Sequence, residues 1–442
     1  MASLSVSLWS RAAGLAARTP ASRNRYVDFL RAVSILVVVS GHWLAAAPYV
    51  VESQLNLGTL LAYQRWPQLL SWVLQVMPVF FFVGGYSNGV SWKAAMRDGR
   101  GYAEWLNGRL QRLAGPVLPL LVVWAVLGIA AYLSGIRPEM VKIGSQVSLI
   151  PIWFLAVYIG VVVVVPLTYA AWRRFGMASF WALATAAAVD DLLFFAVDLR
   201  DVGWLNYGFI WLAVHQLGYA WRDGKLPAGG KSLRWAIAGL AILIGLVAVG
   251  PHPLSMVSVP GEEISNSLPP KLPMLLLGVV QIGLALALEV PLRRWLERPQ
   301  PWTATVLVNG MIMTIFLWHL TAVTLTISLA VQLGGVGLTL EPGSGAWWVA
   351  RPPWLGAYML VLVALTLVFG WFERGGVGGP PATARRQVVG AILVCAGLAF
   401  LALDGVGGTG WLGLRWWVIL LPLAGAVLAG VNPLAREKAK HA

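Results

Sequence analysis

The sequence predicts an all-α protein, a polytopic transmembrane helix bundle of about 12 spans (10–12) with both termini cytoplasmic. Three observations predict it. Of 442 residues, 58% are hydrophobic and only 11% charged, against about 25% charged in soluble domains. The mean hydropathy is +0.74, more apolar sequence than a water-soluble fold of this size can hide. The apolar residues also fall in runs near the roughly 20 residues that a span needs.

Twelve such runs follow one another, at roughly 31–51, 69–90, 115–135, 149–171, 178–199, 203–221, 235–250, 272–291, 304–332, 355–372, 388–404 and 411–431. Each is expected to be helical, because lipid offers no partner to free backbone groups. Ten or eleven spans are also compatible, since 178–199 and 235–250 are the weakest runs. The Pro- and Gly-rich stretches 251–270, 333–353 and 374–383 read as the longest loops, the first two outside the membrane. The Gly405–Gly410 run lacks the Gly-Lys-Ser/Thr ending of a phosphate loop and reads as a tight outer turn. Arg11 and Arg18 interrupt any signal-like apolar core in the first 30 residues.

Net charge is +14, from 32 basic and 18 acidic residues. With the N-terminus placed in the cytoplasm, 25 basic residues fall on that side and 7 on the other (Arg65, Arg137, Lys142, Arg200, Lys271, Arg351, Arg415). That asymmetry is the positive-inside pattern, so the basic balance does not imply nucleic acid. The chain is expected to be a multi-pass protein of the cell membrane. The excess of Arg over Lys, in an Ala-, Gly-, Pro- and Trp-rich chain, is a composition associated with GC-rich bacteria. The single Cys395 excludes a disulfide framework and a cysteine metal site, and no close ligand spacing among the histidines and acids suggests another metal. The organisation expected is a tail at 1–24, a main transmembrane domain at 25–387, two additional spans at 388–431 and a second tail at 432–442.

The chemistry-bearing residues are few. Arg31 and His42 are eleven residues apart, three helical turns plus about 20° and about 16 Å along the axis. Both therefore lie on one face, with Arg31 at the cytoplasmic edge and His42 deeper. Asp28 precedes Arg31 by one turn and can pair with it. An imidazole titrates near neutrality and suits general-base work. A snorkelling arginine and a histidine bonded to a neighbouring helix would look the same. Arg109 and Arg112, at i and i+3, can present two guanidinium forks to one polyphosphate, or form an ordinary positive flank. Asp190 and Asp191 lie inside the fifth run. Each costs about 2.5–3.5 kcal/mol at a span centre, so they should face a polar cavity or a basic partner; His42, His215 and Arg31 are candidates. They could orient a histidine or form a packing ion pair. His215 and His319 are also intramembrane, as supporting or merely structural histidines.

Together these residues resemble the membrane acyltransferase family called acyltransferase-3. An arginine followed eleven positions later by a histidine in the first span looks like its hallmark, and Arg109-Leu-Gln-Arg112 matches its Arg-x-x-Arg. Phe81-Phe82-Val-Gly84-Gly85-Tyr86 approximates its Phe-Phe-x-x-Ser-Gly-Phe, with Gly84 at the usual serine. Trp153-Phe154-Leu155 and Phe316-Leu-Trp318-His319 resemble further elements, and Asn206–Tyr219 is similar to an actinobacterial branch. The resemblance runs from about 25 to 320. It implies transfer of an acyl group, usually acetyl, from acyl-CoA to a hydroxyl of a carbohydrate, glycolipid or other envelope molecule. On that reading Arg109, Arg112 and Arg31 bind the donor, Trp153 lines the acyl path and His42 is the base, with no metal. A proton-coupled secondary transporter and a glycolipid flippase are the other readings.

Overall fold

The computed structural model describes residues 2–51, 54–374 and 381–433. Most of the expected C-terminal tail, with Arg436, Lys438 and Lys440, lies outside the described residues, as does 375–380 of the 374–383 loop. Helix accounts for 75% of the described residues. In order, the first half holds α1 (Ala2–Ala17), α2 (Arg25–Ala45), strands β1 (Ala46–Val51) and β2 (Gln54–Thr59), α3 (Leu60–Tyr63), α4 (Trp66–Leu74), α5 (Met77–Arg97), α6 (Tyr102–Ala114), α7 (Val117–Leu133), α8 (Pro138–Leu149), α9 (Ile152–Val163), α10 (Val165–Phe175) and α11 (Met177–Ala196). The second half holds α12 (Asn206–Arg222), α13 (Gly230–Val249), α14 (Leu272–Ala287), α15 (Glu289–Trp295), α16 (Pro299–Asn309), α17 (Ile312–Gln332), α18 (Gly345–Phe369), α19 (Ala384–Asp404) and α20 (Trp416–Ala429).

Among the described residues, eight helical stretches are long and apolar enough to span a membrane, and ten if the bent pairs α8–α9 and α14–α15 each count once. The two remaining expected segments, 203–221 and 411–431, are the 17-residue α12 and the 14-residue α20.

Two local readings are corrected. The first apolar run does not stay helical to residue 51. It ends at Ala45, and Ala46–Val51 pairs antiparallel with Gln54–Thr59. Ala47 precedes Pro48, and a residue before proline is pushed out of the α region. The strand is anchored where Val50 N–H donates to the Leu338 carbonyl at 2.8 Å. The second correction concerns 333–353, whose last nine residues are the start of α18. Ser344 caps that helix, its Oγ accepting from Trp347 N–H at 3.2 Å. Pro352 and Pro353 then sit inside it, as apolar spanning helices tolerate where neighbouring groups re-satisfy the backbone.

The chain forms two compact units. The first comprises residues 1–41, 64–93 and 165–312; the second comprises 42–63, 94–164 and 313–442. In the first, α13 lies along α14, α11 along α12 and α1 along α16. Its α5 and α12 meet at backbone distance: a Cβ on Gly85 would overlap the His215 carbonyl, and one on Gly218 would overlap the Phe82 carbonyl and Tyr86 N. Phe81 stacks on Trp211 at 4.4 Å and Phe82 on Trp221 at 4.9 Å beside this crossing. The Phe-Phe-x-Gly-Gly element is thus a packing device in which small residues admit a neighbouring backbone. Gly218→Val is expected to lower stability by about 1–3 kcal/mol or more through overpacking, measured by thermal unfolding in detergent. In the second unit α19 packs on α20 and α9.

Candidate active site

In the first unit, the entry of α2 carries a charge network. Asp28 is 5% exposed. Its Oδ2 accepts from Arg23 Nε at 2.6 Å, and its Oδ1 lies 3.5 Å from Arg31 Nη1. Arg31 Nη2 donates to Ser87 Oγ at 3.0 Å. The expected Asp28–Arg31 pairing is present, but Arg23 is the shorter partner. Ser87, three positions after Gly84 and on the next turn of α5, is the partner that the sequence does not single out. The backbone is fixed too, since Asn309 Nδ2 donates to the Asp28 carbonyl at 2.9 Å.

In the second unit, the last turn of α2 presents His42, which is half-buried. His42 Nδ1 lies 2.8 Å from His319 Nε2, with the rings parallel at 5.1 Å. His319 is fully buried, and its Nδ1 lies 2.6 Å from the Phe316 carbonyl. A carbonyl only accepts, so His319 Nδ1 carries the proton. In a neutral imidazole the other nitrogen then accepts, so His42 Nδ1 donates to His319 Nε2. This assignment leaves the lone pair of His42 on Nε2. His319 therefore orients His42 as the third member of a triad orients a catalytic histidine, but without a formal charge. Trp43 Nε1 also donates to the His319 carbonyl at 3.0 Å.

Arg351, 4% exposed, joins this cluster unforeseen. Its Nη2 donates to the Trp43 carbonyl, its guanidinium lies 4.4 Å from the Trp347 ring centroid, and its Nε has no hydrogen-bond partner among the described residues. In sequence it is only one of the seven basic residues on the sparser side. Trp153, half-buried on α9, reaches the same region through rings: it is edge-on to Phe154 at 6.3 Å, and Phe154 is edge-on to Phe316 at 5.5 Å. Arg109 and Arg112 lie on α6, with Arg109 5.6 Å from the Trp105 ring centroid.

The remaining candidates form separate clusters in the first unit. His215, fully buried, pairs with Asn88 at 3.1 Å across the α5–α12 crossing. Asp191 Oδ1 accepts from Asn206 Nδ2 at 3.0 Å, and its Oδ2 accepts from Leu272 N–H at 2.6 Å. His252 Nε2 stands 3.9 Å from that carboxylate. Lys271, fully buried, lies 3.7 Å from the Phe194 ring centroid, and the charges of Asp190 and Asp191 act on it. These partners, rather than His215 or Arg31, answer the two aspartates. Burial, only partly offset by the aspartates, lowers the Lys271 pKa.

His252, in the loop before α14, is pushed down from 6.5 to about 4, first by burial and then by the Lys271 charge. The unfolded chain therefore binds this proton more readily than the fold between pH 6.5 and 4. Its contribution to stability is full above pH 6.5 and is lost as pH falls towards 4. Thermal unfolding across that window is expected to show the loss, and His252→Gln to flatten it; equal slopes would contradict this assignment.

The fold and this geometry define a multi-pass membrane protein with a tautomer-fixed histidine pair. The chain belongs to the acyltransferase-3 family: the family model described as an acyltransferase domain matches residues 24–371. No curated protein and no solved structure gives a significant match.

Proposed function

We propose that this membrane acyltransferase moves an acetyl group from acetyl-CoA to a hydroxyl of a carbohydrate or glycolipid acceptor at the plasma membrane, with His42 as general base. The observation that carries the reading is the hydrogen-bond chain from the Phe316 carbonyl through His319 to His42, which leaves Nε2 as a base. The acceptor hydroxyl gives its proton to His42 Nε2 as its oxygen attacks the thioester carbonyl. The same proton then passes to the departing thiolate, restoring the neutral imidazole. Arg351 stabilises the turn that bears His42 by holding the Trp43 carbonyl. Arg109 and Arg112 bind donor phosphates, Arg31 stands at the donor's entrance and Trp153 lines the acyl path.

Purified protein with acetyl-CoA should release free CoA in the presence of acceptor. Comparing envelope glycolipids by mass spectrometry, with and without the gene, should show one species losing an acetyl increment. CoA release that does not depend on acceptor, together with an unchanged glycolipid profile, would contradict the reading. Arg109→Gln with Arg112→Gln should raise KM for acetyl-CoA about tenfold or more, since a hydrogen bond to a charged group contributes about 1.5–3 kcal/mol, while kcat changes little.

A further inference from the structure

We infer that the paired helices α19 and α20 position the arginines of α6, acting through the side-chain amides of Gln111 and Gln387. Both helices lie beyond the family-matched residues 24–371. They belong, with α6, α8 and α9, to the second unit. The inference rests on the reading that Arg109 and Arg112 take the donor's phosphates, and it assigns what holds them in place.

The pair is a rigid post. Its helices run antiparallel and touch at backbone distance. A Cβ on Gly390 would overlap the Gly425 carbonyl, one on Gly425 would overlap the Gly390 carbonyl, and one on Gly397 would overlap the Pro422 ring. Small residues that admit a neighbouring backbone give close packing between apolar helices. The far end of the pair is fastened to α8, where Val406 N–H donates to Ser145 Oγ at 2.8 Å and Gln146 Nε2 donates to the Leu403 carbonyl at 2.6 Å. With α19 also seated on α9, the pair is held independently of its contacts with α6.

The near end grips α6 at both of its ends. Gln387, fully buried in the first turn of α19, donates from Nε2 to the Ala103 carbonyl at 3.0 Å, in the first turn of α6. Gln111, buried in the last turn of α6, donates from Nε2 to the Gly430 carbonyl at 2.8 Å and accepts at Oε1 from Asn432 N–H at 3.0 Å. Both of those backbone groups lie in the turn that ends α20.

Gln111 stands between the two arginines in sequence. At 100° per residue it projects about 100° from Arg112 and about 160° from Arg109, which leaves the arginines about 60° apart and turned away from the clasp. Arg109 is half-buried and Arg112 exposed. A helix with its side chains is about 10–12 Å across, so a roll of about 30° carries a side-chain tip about 3 Å, a full hydrogen-bond length. Two guanidinium forks that must meet one polyphosphate do not tolerate that displacement. Tying both ends of α6 to a fixed post prevents the roll before the donor arrives, so less orientational freedom is lost on binding. Gln111 and Gln387 are thus positioning residues for the donor arginines.

The test uses full-length protein in phosphatidylcholine nanodiscs, titrated with CoA by calorimetry, which reads affinity and stoichiometry separately. Gln111→Met and Gln387→Met keep the buried volume and remove the clasps. Each should raise the Kd for CoA about fivefold or more, the equivalent of one lost hydrogen bond, at unchanged stoichiometry. In protein that already carries Arg109→Gln and Arg112→Gln, Gln111→Met should add little, because the clasp acts through those arginines. A fall in stoichiometry with Kd kept, or an equal rise in Kd in the arginine-free background, would show a purely structural role and overturn the inference. If the arginine variant shifts Kd while both methionine variants match wild type, the positioning role is overturned and the donor reading stands. If the arginine variant itself behaves as wild type towards CoA, the donor reading fails and this inference fails with it.

Discussion

Replacing His42 with alanine is expected to lower acyl transfer by about 10²–10⁴-fold, the usual contribution of a positioned general base, while α2 remains folded and inserted. The reason lies in tautomer control. The Phe316 carbonyl requires a proton on His319 Nδ1, His319 Nε2 must then accept, and His42 is left with its lone pair on Nε2. His42→Ala removes the base itself. His319→Ala removes only its orientation, so it is expected to cost less and to change the pH profile as well as kcat. His319→Gln, whose side-chain amide oxygen can still accept from His42 Nδ1, should recover part of the loss. Acetyl transfer by correctly inserted His42→Ala at the wild-type rate would end the assignment.

The largest expected effect on stability belongs to Asp191. Its carboxylate accepts from Asn206 and from the Leu272 backbone, faces His252 and offsets the buried ammonium of Lys271. Asp191→Ala removes one of the two carboxylates whose charge acts on that ammonium and takes the acceptor from two donors. Removing one partner of a buried charge pair costs about 3–5 kcal/mol, a large part of the roughly 5–15 kcal/mol that holds a domain folded. Asp191→Asn keeps an acceptor oxygen and should fall between. Lys271→Met combined with Asp191→Ala should be less damaging than the sum of the two, because the unpaired charge is gone. A change within about 0.5 kcal/mol in Asp191→Ala, the range of an ordinary surface substitution, would show that the cluster does not hold the unit together.

Much of the site's chemistry was legible along single helices. The eleven-residue interval from Arg31 to His42 and the three-residue interval from Arg109 to Arg112 are properties of one helix, and α2 and α6 are unbroken across them. The cost of placing acids in an apolar run likewise announced that Asp190 and Asp191 must have partners. The partners themselves were not legible. Ser87 is 56 residues from Arg31, Leu272 is 81 from Asp191, His319 is 277 from His42, and Arg351 is 308 from Trp43. Helical periodicity says nothing about such intervals. In sequence Arg351 and Lys271 are only two of the seven basic residues on the sparser side; both side chains are buried.

From sequence alone, therefore, came the membrane-spanning helical class, the residues able to do acid–base and anion chemistry, and the family. Apolar run length and the expense of polar groups in lipid are local quantities, and they leave a mark on composition. Tertiary structure alone decided which nitrogen of His42 is basic, why α5 carries paired glycines and small residues at its crossing, and where the strand at Ala46–Val51 replaces helix. Those depend on a carbonyl, a backbone or a loop brought in from elsewhere in the chain, and hydrogen-bond direction and close packing exist only once the partners meet.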